Sequence, residues 1–266
     1  MKEVIIYILT HKEFKEEYDK ELYKPLLNGS RFIKEESNYI KDDTGDNISE
    51  LNPYYAELTG QYWAWKNSKT DIIGFVHYRR WFARNLKFDK LTKKDILNDL
   101  KENDIILPQK TRLSKSLKET IINGLKENPD YGAKWEDYVK LGEVIEVDFP
   151  EYFESFEYIM NSKTCYNNNM FICNFELADK YFCWLFDVLG MMEKEINFSA
   201  YPEDNKRVLG FFSEILLTVF VAKHNLKVKE HYIYLSARKL PLISILVRRF
   251  PKIGALEGIL AKIMKN

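Results

Sequence analysis

The most constraining feature of this sequence is a stretch with no polar alternation. Residues 71–76 read Asp-Ile-Ile-Gly-Phe-Val. A strand with one wet face alternates apolar and polar side chains. A continuous apolar run instead needs cover on both faces, the condition of a parallel strand inside an α/β sheet. The run stops abruptly at His77, Tyr78, Arg79 and Arg80. A histidine and two guanidinium forks then sit at the carboxyl edge of the sheet, where open α/β sheets bind ligands. Such forks suit phosphate oxygens. The competing reading is a surface turn with solvated arginines.

The rest of the chain supplies layers for such a sheet. Residues 4–9 make a first buried strand, with Thr10, His11 and Lys12 at its carboxyl end, the usual entry to a nucleotide site in doubly wound sheets. No Gly-x-Gly-x-x-Gly follows, which counts against a dinucleotide fold. Pro53 opens a helix over residues 54–67, where its missing N–H costs nothing. A charged helix is expected over residues 13–22 and a short strand near residues 30–33. Residues 34–49, with Asp42 and Asp43, read as a loop that shapes or covers a site; the acidic pair could touch a metal, but a solvated loop is the favoured reading. A helix starts near Thr92 and a strand covers residues 103–108. The basic stretch 110–126 reads as mobile and lid-like. Helices are expected over residues 135–147, 150–160, 176–195 and 207–222, and a strand over 166–175 entered through an asparagine run. Strands alternating with helices predict an α/β fold, a Rossmann-type, mostly parallel sheet flanked by helices, with a helical C-terminal region.

A chain of 266 residues that is 45% hydrophobic and 15% aromatic can bury a sizeable core. Its 40 basic and 40 acidic side chains cancel, so no global charge pulls it toward nucleic acid. Cys165, Cys173 and Cys183 show no metal-ligand spacing. An odd count without a signal peptide predicts a reducing cytoplasm. No apolar run approaches the ~20 residues that span a bilayer. Residues 236–266 differ in composition, with basic and apolar residues interleaved around one acid, Glu257. That pattern lies on an anionic membrane surface, or packs as a helix on the domain or on a partner subunit. The expected organisation is therefore a domain over 1–235 and a basic amphipathic tail over 236–266.

Glu214 is the single acid in the apolar run 209–221. It must be paired, for which Arg207 is near, or be protonated, or face a cleft. Burial would raise its pKa toward the range of a general base. Glu57, on the helix before the central strand, could bind a hydroxyl or orient an arginine. Asp104 is the best remaining acid for a metal, or else caps a strand edge. The asparagines at 167–169 can donate to and accept from hydroxyls, or simply form a turn.

Several segments together resemble a bacterial family from capsule, exopolysaccharide and O-antigen clusters. That family was long labelled a domain of unknown function and is grouped with glycosyltransferases. The matching segments are Thr10-His11-Lys12, residues 52–67 with Glu57-Leu58-Thr59-Gly60, residues 74–82 with His77-Tyr78-Arg79-Arg80, and residues 104–108, 169–172 and 207–214. The resemblance implies a GT-A-like fold. It implies transfer of a hexosyl unit, galactose or galactofuranose favoured, from a UDP-sugar to a lipid-linked polysaccharide acceptor at the inner face of the cell membrane. It makes Glu214 the catalytic base of an inverting displacement. It assigns Thr10, His11, Lys12, Glu57, His77, Arg79 and Arg80 to the donor, and Asn169, Met170 and Arg207 to the acceptor. GT-A enzymes usually hold the diphosphate with an Asp-x-Asp motif and Mn2+ or Mg2+. Here His77-Tyr78-Arg79-Arg80 takes that place, so either a cation is kept through Asp104 or the arginines replace it. Near residues 130–137 the family carries a histidine, and this chain has Lys134-Trp135-Glu136-Asp137 instead. The missing Asp-x-Asp keeps a second class in view, a non-catalytic sugar-nucleotide or glycan-binding subunit of an assembly complex. Nothing in the residues selects the sugar or an oligomeric state.

Overall fold

The computed structural model describes residues 2–34, 37–85, 89–130 and 132–236. The basic tail expected over 236–266 lies outside the described residues beyond Ser236. The strands are β1 (Val4–Thr10), β2 (Tyr23–Leu27), β3 (Ile40–Lys41), β4 (Ile72–His77), β5 (Arg80–Ala83), β6 (Ile105–Pro108), β7 (Thr111–Arg112), β8 (Thr164–Cys165), β9 (Ile172–Asn174) and β10 (Val228–Leu235). The helices are α1 (Asn52–Tyr55), α2 (Leu58–Asn67), α3 (Lys93–Asp99), α4 (Leu117–Glu127), α5 (Trp135–Asp148), α6 (Pro150–Asn161), α7 (Phe175–Glu195) and α8 (Val208–Lys223).

β1 and β4 are dry on both faces, as their unbroken apolar runs require. Val4, Ile6 and Ile8 of β1 join one core with Ile72 and Val76 of β4. Tyr7 and Leu9 join the other with Ile73 and Phe75, together with the apolar faces of α2, α5, α6, α7 and α8. Each fully buried Ile, Leu or Phe contributes ~1.5–3 kcal/mol of transfer free energy, so these two strands anchor both layers. Gly74 sits where β4, β1 and β9 come closest. A Cβ there would lie 2.6 Å from Ile172 Cγ1 and 2.7 Å from Ile6 Cδ1.

The sheet is mixed, which corrects the mostly parallel expectation. Its order is β3-β2-β1-β4-β5-β10-β6-β9, and β9 pairs back onto β4, closing five strands into a ring. β1 runs parallel to β2 and β4, β2 to β3, and β6 to β10. β5 is antiparallel to β4 and β10, and β9 is antiparallel to β4 and β6. The cause is local. His77 pairs with Arg80, so Tyr78 and Arg79 form a tight reversal, and Trp81 and Phe82 continue as a buried antiparallel strand. A two-residue turn joins only antiparallel neighbours.

Other expectations also fall to tertiary contacts. Residues 13–22 are not helical. Phe14 and Tyr18, four apart, pack on Trp81, and Lys90 Nζ donates to the Glu17 carbonyl and the Glu16 carboxylate. The second strand is Tyr23–Leu27 rather than residues 30–33, which begin as the 3-10 turn Ser30–Phe32. The stretch expected to be lid-like is anchored. Thr111 and Arg112 pair with Cys165 and Thr164, and a capping box between Ser116 and Glu119 starts α4. The helix expected over 54–67 is broken into α1 and α2 at Ala56, which takes φ 50°.

Candidate functional site

A cleft of about 530 Å³ opens at the carboxyl ends of β1, β2 and β4 and is roofed by the first turns of α8. Each wall has a local origin. Thr10 is buried and spends its hydroxyl on the Lys12 backbone, forming the turn that presents His11. The His11 ring meets Tyr78 edge-on at 5.3 Å, and the Arg79 guanidinium lies 4.6 Å from the other groups' shared ring, Tyr78. The β4–β5 reversal delivers His77, Arg79 and Arg80. The break at Ala56 turns Glu57 out of the helical line and into the cleft, against Gly210 of α8, where a Cβ would stand 4.0 Å from Glu57 Oε2. Arg207 immediately precedes α8, and Gly210, Phe211 and Glu214 follow along it.

The cleft is charged and tuned. Among the described residues no carboxylate closes an ion pair on Arg79, Arg80 or Arg207, whereas Lys206 is taken up by Glu203. Three guanidinium groups and the positive end of α8 therefore face a space that suits an anion. Glu214 is pushed up to about 7, first by burial and next by the like charge of Glu57. A backbone hydrogen bond from Asn168 and the charges of Arg80 and Arg207 oppose the rise. His77 donates from Nε2 to the Asn168 carbonyl at 2.6 Å, which leaves Nδ1 as an acceptor. Burial holds its pKa below the ordinary histidine value, with Arg80 acting in the same direction and Glu57 against it. His11 is also lowered, by burial and then by Lys12 and Arg79. Two buried polar atoms of cleft residues, Asn28 Oδ1 and Tyr78 Oη, have no partner among the described residues. Such groups cost free energy while they stay unpaired.

The structure brings Thr10, His11, Glu57, His77, Arg79, Arg80, Arg207 and Glu214 together in this one cleft. It does not bring the others there. Lys12 lies outside, its Nζ 5.9 Å from the Tyr78 ring. Asn169 is 1% exposed and stands behind the wall, bonded to Glu57. Met170 is fully buried in the core with Ile172 and Trp81, so its assignment to an acceptor gives way to packing. Asp104 sits at the start of β6, away from the cleft, and its carboxylate accepts the Lys227 N–H at 2.7 Å. Arg207 does not pair with Glu214; its guanidinium lies 5.2 Å from the Phe211 ring. Among the described residues no group of three His, Cys, Asp or Glu side chains converges as a metal site. Of the asparagines at 167–169, Asn168 lines the cleft; sequence reasoning missed Asn28 and Asn52, both on the cleft wall. Asn28 directly follows β2, and the expectation of a strand near residues 30–33 hid that position.

Fold and cleft define an α/β protein with a mixed sheet and a charged cleft at the carboxyl edge of its parallel half. The family described as "Domain of unknown function (DUF4422)" matches residues 5–225, and the chain belongs to it. Among solved structures it is similar to one titled as the WbbM bifunctional glycosyltransferase in its apo state, with a TM-score of 0.79 and 29% identity. The match covers 89% of this chain and 46% of that one, so this chain spans less than half of that protein. No match emerges among curated proteins.

Proposed function

We propose that this chain is a GT-A-like glycosyltransferase that moves a hexosyl unit from a UDP-sugar to a lipid-linked polysaccharide acceptor by a single inverting displacement. The observation that carries the reading is one cleft in which unpaired guanidinium groups meet a buried carboxylate with a pKa of about 7. Such a carboxylate is ionised often enough to accept a proton and basic enough to hold it. The likeness to a protein titled a bifunctional glycosyltransferase supports transferase chemistry, and the partial coverage fits one portion of such an enzyme.

In this mechanism Glu214 takes the proton of the acceptor hydroxyl. The acceptor oxygen bonds to the donor's anomeric carbon as the bond from that carbon to the diphosphate breaks, and UDP leaves with the electron pair. Arg79 and Arg80, with Arg207 and the start of α8, face the charge that grows on the diphosphate. One well-placed donor of this kind is worth ~3–4 kcal/mol. The donor set does not suit Mn2+ or Mg2+, which take clustered oxygen ligands. The position after β4 is basic, and Asp104 is spent on a backbone N–H. No step is therefore routed through a metal. Galactose or galactofuranose is the proposed sugar class. Residues 236–266 are proposed to hold the enzyme to the anionic inner face of the membrane. Among the described residues no helix is long and apolar enough to cross one.

The test is thermal stability with a panel of nucleotides and nucleotide sugars, with and without Mn2+, followed by UDP release with lipid-linked acceptor. A ligand at a hundred times its Kd stabilises by ~2.7 kcal/mol, several degrees for a domain of this size. UDP or a UDP-sugar should raise Tm without Mn2+, and the shift should vanish in an Arg79→Ala/Arg80→Ala variant. Glu214→Gln should keep the shift and lose ~10²–10⁴-fold in transfer rate. Absence of any nucleotide shift overturns the enzyme reading; a shift without UDP release favours the non-catalytic subunit.

A further inference from the structure

Asn169 lies outside the cleft yet is bonded to its acidic wall. Its Nδ2 donates to Glu57 Oε1 at 2.9 Å and to the Gly210 carbonyl at 3.3 Å. Both partners only accept, which fixes the orientation of the amide. Gln61, one turn along α2 from Glu57, donates its Nε2–H to the Asn169 carbonyl at 2.7 Å. The backbone is bent to make this possible, with φ of 77° at Asn168 and 47° at Asn169. Left-handed backbone at non-glycine residues costs ~1–3 kcal/mol and persists only where the surroundings hold it.

We propose that Asn169 is a positioning residue, which clamps the Glu57 carboxylate against the Gly210 turn of α8 so that it stands beside Glu214. Gly210 and Glu214 are four residues apart and share a helix face. A Glu57 held at Gly210 is thus one turn from the proposed base. From there its negative charge works with burial to keep a proton on Glu214. The other titratable and charged groups facing Glu214 are Arg80 at the start of β5, Arg207 at the start of α8, Tyr138 of α5 and Cys165 of β8. His77 of β4 faces Glu57. None of these is hydrogen-bonded to the Asn169 side chain. The clamp rests on the reading of Glu214 as the proton acceptor, but its test needs no substrate.

The test is a 13C carboxylate NMR titration of Glu214, its resonance identified by loss in Glu214→Gln. Wild type, Glu57→Gln, Asn169→Ala and the double variant are compared. Glu57→Gln should lower the Glu214 midpoint below about 7. Asn169→Ala should lower it in the same direction, and the double variant should match Glu57→Gln alone, because both changes remove one coupling. Asn169→Ser, which keeps a donor, should recover part of the fall. A merely structural Asn169 would cost thermal stability and leave the midpoint in place, and that result overturns the proposal. So does an unchanged midpoint in Glu57→Gln. Should Asn169→Ala not fold, the side-chain amide resonances of Asn169 decide the matter. They should move between wild type and Glu57→Gln, and unmoved resonances overturn the clamp. Failure of the transferase reading would show separately, as absent nucleotide binding with the Glu214 titration intact.

Discussion

Asp42 offers the sharpest test of how the cleft is supported. It ends the short β3 connection, is 0% exposed, and accepts five hydrogen bonds. Oδ1 receives Ser30 N and Ser30 Oγ at 2.9 Å and Ser49 Oγ at 2.7 Å. Oδ2 receives Gly29 N at 2.7 Å and Thr59 Oγ1 at 2.6 Å. This carboxylate ties the left-handed Gly29 turn, the 3-10 turn after it and α2 into one unit, and Asn28 reaches the cleft from that turn. In Asp42→Asn the amide oxygen can keep the Oδ1 partners, while the NH2 faces two donors. Thr59 can turn to the Ala56 carbonyl, 3.2 Å away, so the Gly29 N–H is the group left buried and unpaired. A stranded donor costs ~1–3 kcal/mol, and the weakened charge-assisted bonds add to it, so the expected loss is ~2–3 kcal/mol. Asp42→Ala strands the Ser30 N–H as well and should cost ~4–6 kcal/mol. Urea unfolding followed by tryptophan fluorescence reads both. With m of ~2–3 kcal/mol/M, the asparagine variant should shift its midpoint by about 1 M at unchanged m. A loss under ~0.5 kcal/mol for asparagine, or an alanine variant no worse than asparagine, would refute the reasoning.

Glu214 makes stability depend on pH with a definite sign. Its folded pKa of about 7 stands above the ordinary 4.5, so its contribution is fully present below pH 4.5 and is lost as pH rises through about 7. The whole swing is ~3 kcal/mol, and Glu214→Gln should be the more stable protein at pH 8 but not at pH 4, as urea midpoints would show. The transfer rate should rise with pH through the same value, since only the ionised carboxylate accepts a proton. Ala56 holds φ 50° at the α1–α2 break, so Ala56→Gly should stabilise by ~1 kcal/mol, strain relief outweighing glycine's entropy, provided Tm rises rather than falls. Gly74→Ala should destabilise by ~1–3 kcal/mol through overpacking on Ile6 and Ile172, and Ile172→Val should recover part of that loss in the same melt.

Legibility followed the range of the forces. β1 and β4 were readable because burial on both faces writes itself into consecutive residues. Helices α3 and α5 to α8 were readable because their apolar stripes or caps are local, the Thr92 capping box of α3 being one case. Glu214 stood out because a lone acid among apolar residues needs an explanation from any fold. What the sequence hid depends on distant partners. Phe14 and Tyr18 carry helical spacing but pack on Trp81 across the sheet. Pro25 spoke against a strand, yet β3 pairs only with Leu26 and Leu27, which spares the proline a partner it cannot bond. The break at Ala56 shows no glycine; Asn52 Nδ2 and Thr59 Oγ1 both reach the Ala56 carbonyl there, and Gly210 of α8 packs close by. Asp42 looked like a solvated loop acid, since none of its five donors lies within six residues of it. β10 went unread because the polar run Lys229-Glu230-His231 breaks both the alternation and the apolar continuity that mark a strand.

The place of β10 has a consequence for how the protein is made. The last strand of the described chain lies between β5 and β6, two strands formed more than a hundred residues earlier. On a ribosome, β1 to β4 can pair as soon as they emerge, because their neighbours are already out. The ring cannot close until residue 235 has been synthesised, and until then β5 and β6 each carry a naked edge. Unpaired edges recruit other chains. The nascent protein is therefore most exposed to aggregation late in its synthesis, and a chain interrupted before Val228 keeps that exposure permanently.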